Sequence, residues 1–150
     1  MEQKRKIVPP VYLLIALILL FALHRCEPIA SFAHPTLMYF GATLAAFGLG
    51  MTVMSAGLFK KVGTGIVPFD EATVLVTAGF YRFSRNPMYL GMVMLLLGIA
   101  LTLGSAGSLL PIPLFIWVIH NNFILGEENF LLEAFGDEFL AYKEKVRRWI

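Results

Sequence analysis

The chain has 150 residues, 58% of them hydrophobic and only 15% charged, with a formal net charge of +2 and a mean hydropathy of +0.75. Ordinary globular chains carry about 25% charged residues, and a soluble domain of this length has no core large enough to absorb so much apolar surface. A soluble fold is therefore excluded, and the single cysteine, Cys26, excludes an internal disulfide and a cysteine-rich metal site.

Residues 2–6 form a short basic head, and Ile7 to Leu23 follow without a charge. A basic start and a short apolar run also suit a signal peptide, but His24-Arg25-Cys26-Glu27-Pro28 is a poor cleavage neighbourhood. The run is read as a retained membrane helix over about residues 8–25. From Thr36 to Phe59 there is again no charge, and small residues such as Gly41, Ala45, Gly48 and Gly50 recur, which lets membrane helices approach closely. A second helix is expected over about 36–59, ended by Lys60-Lys61.

Residues 60–86 are the one sizeable polar connection, broken by Gly63-Thr64-Gly65 and Pro68-Phe69-Asp70 and carrying the apolar patch Val74-Leu75-Val76. A connection this long in a compact domain is commonly functional. Asn86 to Gly126 then holds 41 residues without Asp, Glu, Lys or Arg, enough for two crossings of about 20 residues each. Helices are expected over about 87–104 and 109–126, with Gly104-Ser105-Ala106-Gly107-Ser108 as the hairpin. Residues 127–150 change character: Leu131, Phe135, Phe139, Tyr142 and Val146 keep roughly helical spacing with charges between them. This reads as an amphipathic cap bent at Gly136, placed either on the membrane surface or over the loop end of the bundle, and ending in Arg147-Arg148-Trp149, a candidate interfacial anchor. The expected fold is all-α, one domain of four transmembrane helices with an amphipathic C-terminal segment and no Rossmann unit.

Eleven of the twelve Lys and Arg residues fall before helix one, between helices two and three, or after helix four; only Arg25 lies opposite. The positive-inside rule places both termini and the long loop in the cytoplasm. On that face meet the loop, the stretch Arg85-Asn86-Pro87-Met88-Tyr89, and Glu127-Glu128. His120 and Asn121 lie seven residues before these glutamates, so a polar stripe is expected to run inward along one helix face.

Several familiar sites are missing. Gly63-Thr64-Gly65 does not continue as a dinucleotide fingerprint, and His24, His34 and His120 lack metal-ligand spacing. No Gly-x-Ser-x-Gly occurs, and the basic residues follow the membrane face rather than interleaving with aromatics, which disfavours nucleic acid.

Two blocks carry a resemblance. Leu75-Val76-Thr77-Ala78-Gly79-Phe80-Tyr81 followed by Arg85-Asn86-Pro87-Met88-Tyr89-Leu90-Gly91 resembles the first signature of the isoprenylcysteine carboxyl methyltransferase family. Glu127-Glu128, Leu131, Phe135-Gly136, Phe139, Tyr142 and Val146 resemble the second. The resemblance implies an integral membrane methyltransferase using S-adenosylmethionine, with the cofactor at the cytoplasmic helix ends under the C-terminal segment. Carried over by position, the cofactor residues are Leu75, Val76, Tyr81, Asn86, Pro87, Met88, Tyr89 and Glu127.

Their chemistry suits that cofactor. Leu75-Val76 can pack adenine, Glu127 can pair with an ammonium, and Tyr81 or Tyr89 can face a sulfonium. Arg85 can grip a carboxylate of cofactor or substrate, and Glu128 is the candidate base for an amine acceptor. The acceptor is expected to be a lipid-like or prenylated molecule reached from the bilayer. Family methyltransferases often have His at the position of Asn86, and prenylcysteine members a basic residue at that of Phe123. Related readings are a phospholipid N-methyltransferase, a sterol or enone reductase sharing an Arg-x-Pro-x-Tyr stretch, and a non-catalytic membrane scaffold.

Overall fold

The computed structural model describes residues 8–26, 30–62 and 73–150. The basic head and the Gly63 to Asp70 breakers lie outside the described residues. Six α-helices account for most of them: α1 (Pro9–Cys26), α2 (Pro35–Val62), α3 (Pro87–Leu103), α4 (Pro111–Ile119), α5 (Leu125–Phe135) and α6 (Asp137–Lys145). Between α4 and α5 the backbone stays helical through a π-turn, His120–Ile124. The fourth helix therefore runs on to Phe135, rather than ending near residue 126. Gly136, at φ +50°, is where it stops.

Three helical stretches are long and apolar enough to cross a membrane: Pro9–Cys26, Pro35–Lys61 and Ala106–Phe135. α3 is apolar but has 17 residues, about 26 Å of helix. The outward faces of α1 and α2 are covered by exposed side chains such as Leu14, Ile18, Phe21, Phe40, Phe47 and Met54, as expected where lipid replaces water. The protein is a multi-pass integral membrane bundle.

α3 is the centre of that bundle. On one side it lies against α2 along a seam of glycines. A Cβ on Gly48 would sit 2.5 Å from the carbonyl oxygen of Gly91, and one on Gly41 would sit 2.6 Å from that of Gly98. Any side chain there would force the helices apart, at about 1–3 kcal/mol for an overpacked core. The small residues visible in the sequence thus serve contact within one chain. On its other side α3 meets α1 and α4, where Leu20, Leu96, Ile119 and Ile124 are fully buried.

The end of the bundle remote from the glutamates is closed by backbone. The peptide N–H of Phe32 donates to Gly104 O (2.8 Å) and that of Ala106 to Ala30 O (2.9 Å), joining the α1–α2 connection to the α3–α4 hairpin. Gly104, at φ +62°, caps α3 in the left-handed region that favours glycine. Ser108 donates to Ser105 O (2.5 Å) beneath it.

Candidate functional site

The opposite end is built from side chains. α3 starts at Pro87, whose ring sits at the first helical position where no N–H is needed. This fixes Arg85 and Asn86 just before the helix and Tyr89 one turn inside it. Antiparallel to α3, the α4–α5 helix delivers Glu127 and Glu128 at the same level. Tyr89 donates its hydroxyl to Glu127 Oε1 at 2.5 Å, across 38 residues of sequence. The aromatic of the first block and the carboxylate of the second are in direct contact.

Glu128 is buried and faces three cations. Arg148 grips it with both arms, Nε to Oε1 at 2.9 Å and Nη2 to Oε2 at 2.8 Å. Arg85 Nη2 stands 3.3 Å from Oε1 and Lys143 Nζ 4.0 Å from Oε2. The hydrogen bond to Glu128 strengthens the hold of the Arg148 guanidinium on its proton. Arg85 is left half-used: its side chain is 10% exposed, yet Nε and Nη1 are buried without a hydrogen-bond partner. A buried guanidinium edge with unpaired donors is expensive, and it matches a carboxylate in shape and charge.

The C-terminal segment closes over this group. Arg85 N donates to Arg147 O (2.9 Å), and Asn86 Nδ2 donates to Arg148 O (3.0 Å), with Ser84 Oγ 3.4 Å from the same oxygen. Trp149 packs against the main core. Of the two expected placements, the segment ending in Arg147-Arg148-Trp149 takes the one over this end of the bundle, because its carbonyls and Arg148 find partners there. Sequence reasoning missed Arg148. The only available signal was a basic residue beyond an amphipathic helix, read as part of an anchor, together with an uncompensated Glu128.

The connection joins the same construction. Gly79–Arg82 form a short 3₁₀ turn. Tyr81 is buried, its ring edge-on to Phe59 with centroids 5.5 Å apart. Tyr142 on α6 donates to Tyr81 O at 2.6 Å. Burial pushes the Tyr142 hydroxyl up to about 12, against the opposing pull of Arg85. Burial, and then the charge of Glu127, raise Tyr81 further, so both phenols are neutral. Leu75 packs against Phe139, Tyr142 and Val146, and Val76 is buried. Met88 lends its carbonyl to Thr52 (3.2 Å).

The structure therefore gathers Arg85, Asn86, Pro87, Tyr89, Glu127 and Glu128 at one end of the bundle, with Tyr81 beside them through α6. Leu75 stands under α6, Val76 is buried, and Met88 turns its backbone toward α2. Of the expected polar stripe, one pair does not share a face, since Asn121 is exposed while Glu128 is buried, whereas His120 and Glu127 are both half-buried. The π-turn inserts extra backbone between them, so seven residues no longer make two α-turns. Among the described residues no cluster of His, Cys, Asp and Glu has the arrangement of a metal site.

A family model described as "Phospholipid methyltransferase" matches residues 36–138. An uncharacterized protein of Haemophilus influenzae is 44% identical over 63 residues, 42% of this chain and the whole of that protein. The protein-S-isoprenylcysteine O-methyltransferase of Schizosaccharomyces pombe is 37% identical over 73 residues, 49% of this chain and 31% of that enzyme. The enzyme of the same name from Saccharomyces cerevisiae is 38% identical over 73 residues, 49% of this chain and 30% of its own. The match thus spans under a third of either yeast enzyme. The chain belongs to the phospholipid methyltransferase family, with the isoprenylcysteine methyltransferases among its relatives.

Proposed function

We propose that this family member is an S-adenosylmethionine-dependent methyltransferase acting on a lipid-like acceptor, its site facing the cytoplasm. The observation that carries the reading is the meeting of the two sequence blocks at one end of the bundle, with Tyr89 on Glu127 and the unpaired edge of Arg85 beside them. The orientation rests on the one-sided distribution of eleven basic residues.

The residues fit the cofactor. Arg85 Nε and Nη1 await an anion, for which a carboxylate of the cofactor's amino-acid end or of the acceptor is the natural match. Tyr89 engages one oxygen of Glu127, leaving the other for an ammonium. Leu75 and Val76 supply an apolar wall, and Tyr81 and Tyr89 supply aromatic faces for a cation. When bound, the cofactor supplies an electrophilic methyl group on a sulfonium. This chain's part is to hold donor and acceptor in line and to exclude water. The C-terminal segment, pinned by Arg148 and Asn86, does the excluding.

Glu128 is assigned to positioning rather than to proton transfer, since both its oxygens face cations. Asn86, where relatives often carry His, holds the tail through Arg148 O and needs no titration for that task. Phe123 in place of a basic residue favours an acceptor without a carboxylate at that point, which keeps a phospholipid N-methyltransferase as the second reading.

Calorimetric titration of the purified protein with S-adenosylhomocysteine tests the proposal. Binding is expected, and Glu127→Ala should weaken it more than about tenfold, the worth of one charge-assisted hydrogen bond, while the helical bundle is retained. Binding of NADPH alone would indicate the reductase. Binding of neither would indicate a scaffold, and an affinity unaffected in Glu127→Ala would remove that residue from the site.

A further inference from the structure

Arg85 is fixed by its neighbours in the chain. Pro87 sets the start of α3 two residues later, and the Arg85 peptide N–H donates to Arg147 O at 2.9 Å. Its side chain is only 10% exposed, so the guanidinium cannot turn out to water. Nη2 faces Glu128 at 3.3 Å, while Nε and Nη1 have no hydrogen-bond partner among the described residues. Those two nitrogens carry three N–H groups between them. A cation held out of water with its donors unused is destabilising until an anion meets it.

The charges around it do not balance. Glu128 is one carboxylate facing three cations, Arg85, Arg148 and Lys143, an excess of two positive charges. Glu127, held by Tyr89, pairs with none of the three among the described residues, and counting its charge in full still leaves an excess of one. Lys143 is also loosely held. Its Nζ stands 4.0 Å from Glu128 Oε2, beyond hydrogen-bond range, and 5.8 Å from the centroid of the Phe139 ring. Half-buried, it is free to turn toward a second acceptor. Arg85 belongs to the bundle, whereas Lys143 and Arg148 belong to the C-terminal segment, so an anion among them joins the two.

We infer that Arg85, with Lys143 at its rim, binds a small free oxyanion of the phosphate or sulfate class, which fastens the C-terminal segment to the bundle. A tetrahedral oxyanion has separate oxygens for Nε, Nη1 and Nζ, and its charge offsets the local excess. Water satisfies the donors but leaves the charge, and a halide supplies charge without the separate oxygens. The burial of Arg85 beneath Arg147 and Arg148 favours a free ion over a headgroup that carries two chains. That the ion also keeps out a carboxylate of the cofactor rests on the methyltransferase reading; that Arg85 holds it does not. On that reading free phosphate regulates the site, since the ion and S-adenosylmethionine compete for one guanidinium.

The test is equilibrium dialysis of the whole purified chain, in detergent and chloride at fixed ionic strength, against radiolabelled inorganic phosphate. Saturable binding is expected. Arg85→Gln should weaken it more than about tenfold, the worth of a charge-assisted hydrogen bond, and Lys143→Gln, at a part-exposed position, about threefold. At ten times its half-saturating level, phosphate should slow tryptic cleavage beyond Gly136 by up to about tenfold, and raise the apparent dissociation constant of S-adenosylhomocysteine by about as much. A parent protein without saturable phosphate binding, binding that both variants retain in full, or a tail equally open to trypsin with and without phosphate overturns the inference. Should Arg85→Gln fail to fold, Lys143→Gln and the parent protein decide. Displacement of the label by dihexanoyl phosphatidic acid at lower concentration than by unlabelled phosphate would assign the site to a lipid headgroup and overturn the free ion. Saturable phosphate binding with unchanged affinity for S-adenosylhomocysteine upholds the anion site and removes Arg85 from the cofactor site. Phosphate binding by a protein that takes no S-adenosylhomocysteine upholds it too, and fails only the methyltransferase reading.

Discussion

The two ends of the bundle are closed by different means. At the hairpin end, main-chain groups of residues 30–32 pair with those of Gly104 and Ala106, and Ser108 turns inward on Ser105 O and Ala100 O. At the glutamate end, side chains meet across long stretches of sequence: Tyr89 with Glu127, Glu128 with Arg85 and Arg148, Tyr142 with Tyr81 O. The first arrangement serves closure. The second leaves Arg85 with donors to spare. A bundle needs both ends sealed against water, but only the end sealed by side chains carries groups that a ligand can recruit.

The sharpest way to break this contrast is Glu128→Ala. It strands the Arg85 guanidinium, whose side chain is 10% exposed, and removing one partner of a buried pair costs about 3 kcal/mol. Thermal unfolding in detergent should show the loss, and proteolysis should reach the segment after Gly136 first. If the tail were no more accessible than in the parent, Arg148 would not be its fastening.

A smaller effect is expected from alkali. Tyr142 has a hydroxyl near 10 when unfolded and about 12 when folded. A raised value means that its contribution is complete below pH 10 and declines as pH climbs toward 12, by at most about 2.7 kcal/mol and by less to the extent that solvent screens the hydroxyl. Tyr142→Phe should flatten that part of the stability profile; a parent protein equally stable at pH 9 and 11.5 would contradict it.

Tyr89→Phe removes one 2.5 Å hydrogen bond to Glu127. S-adenosylhomocysteine affinity should fall about threefold to tenfold, with little change in melting temperature. At the hairpin end, Ser108→Ala should cost about 1 kcal/mol of stability and leave that affinity untouched. Should Ser108→Ala weaken ligand binding as much as Tyr89→Phe, the two ends would not be functionally distinct.

The contrast also marks what the sequence could reveal. Apolar run lengths located the helices, because a spanning segment must satisfy its own backbone; α2 ran to Val62 and α4–α5 to Phe135 because charged residues continue a helix outside lipid. Gly104 announced the hairpin and Gly136 the bend. The π-turn was invisible, since His120-Asn121-Asn122-Phe123-Ile124 has no composition that distinguishes it from an α-turn. The meeting of Tyr89 with Glu127 was suggested only by resemblance, because helical periodicity places residues on faces and says nothing of which faces meet. Arg148 escaped for the same reason: its partner lies 20 residues earlier, beyond any local pattern.

Residues 85 and 148, the outer members of the charged group, also set a timetable for biogenesis. A growing chain emerges N-terminus first, so α1, α2 and α3 are available to the membrane before Glu128 exists, and Glu128 before Arg148. Until then Arg85 has no carboxylate to face and Asn86 no Arg148 carbonyl to hold. Insertion can therefore be finished while the site is still unmade, and a chain interrupted anywhere between Phe135 and Arg148 retains its spanning helices but lacks the part that makes one end differ from the other.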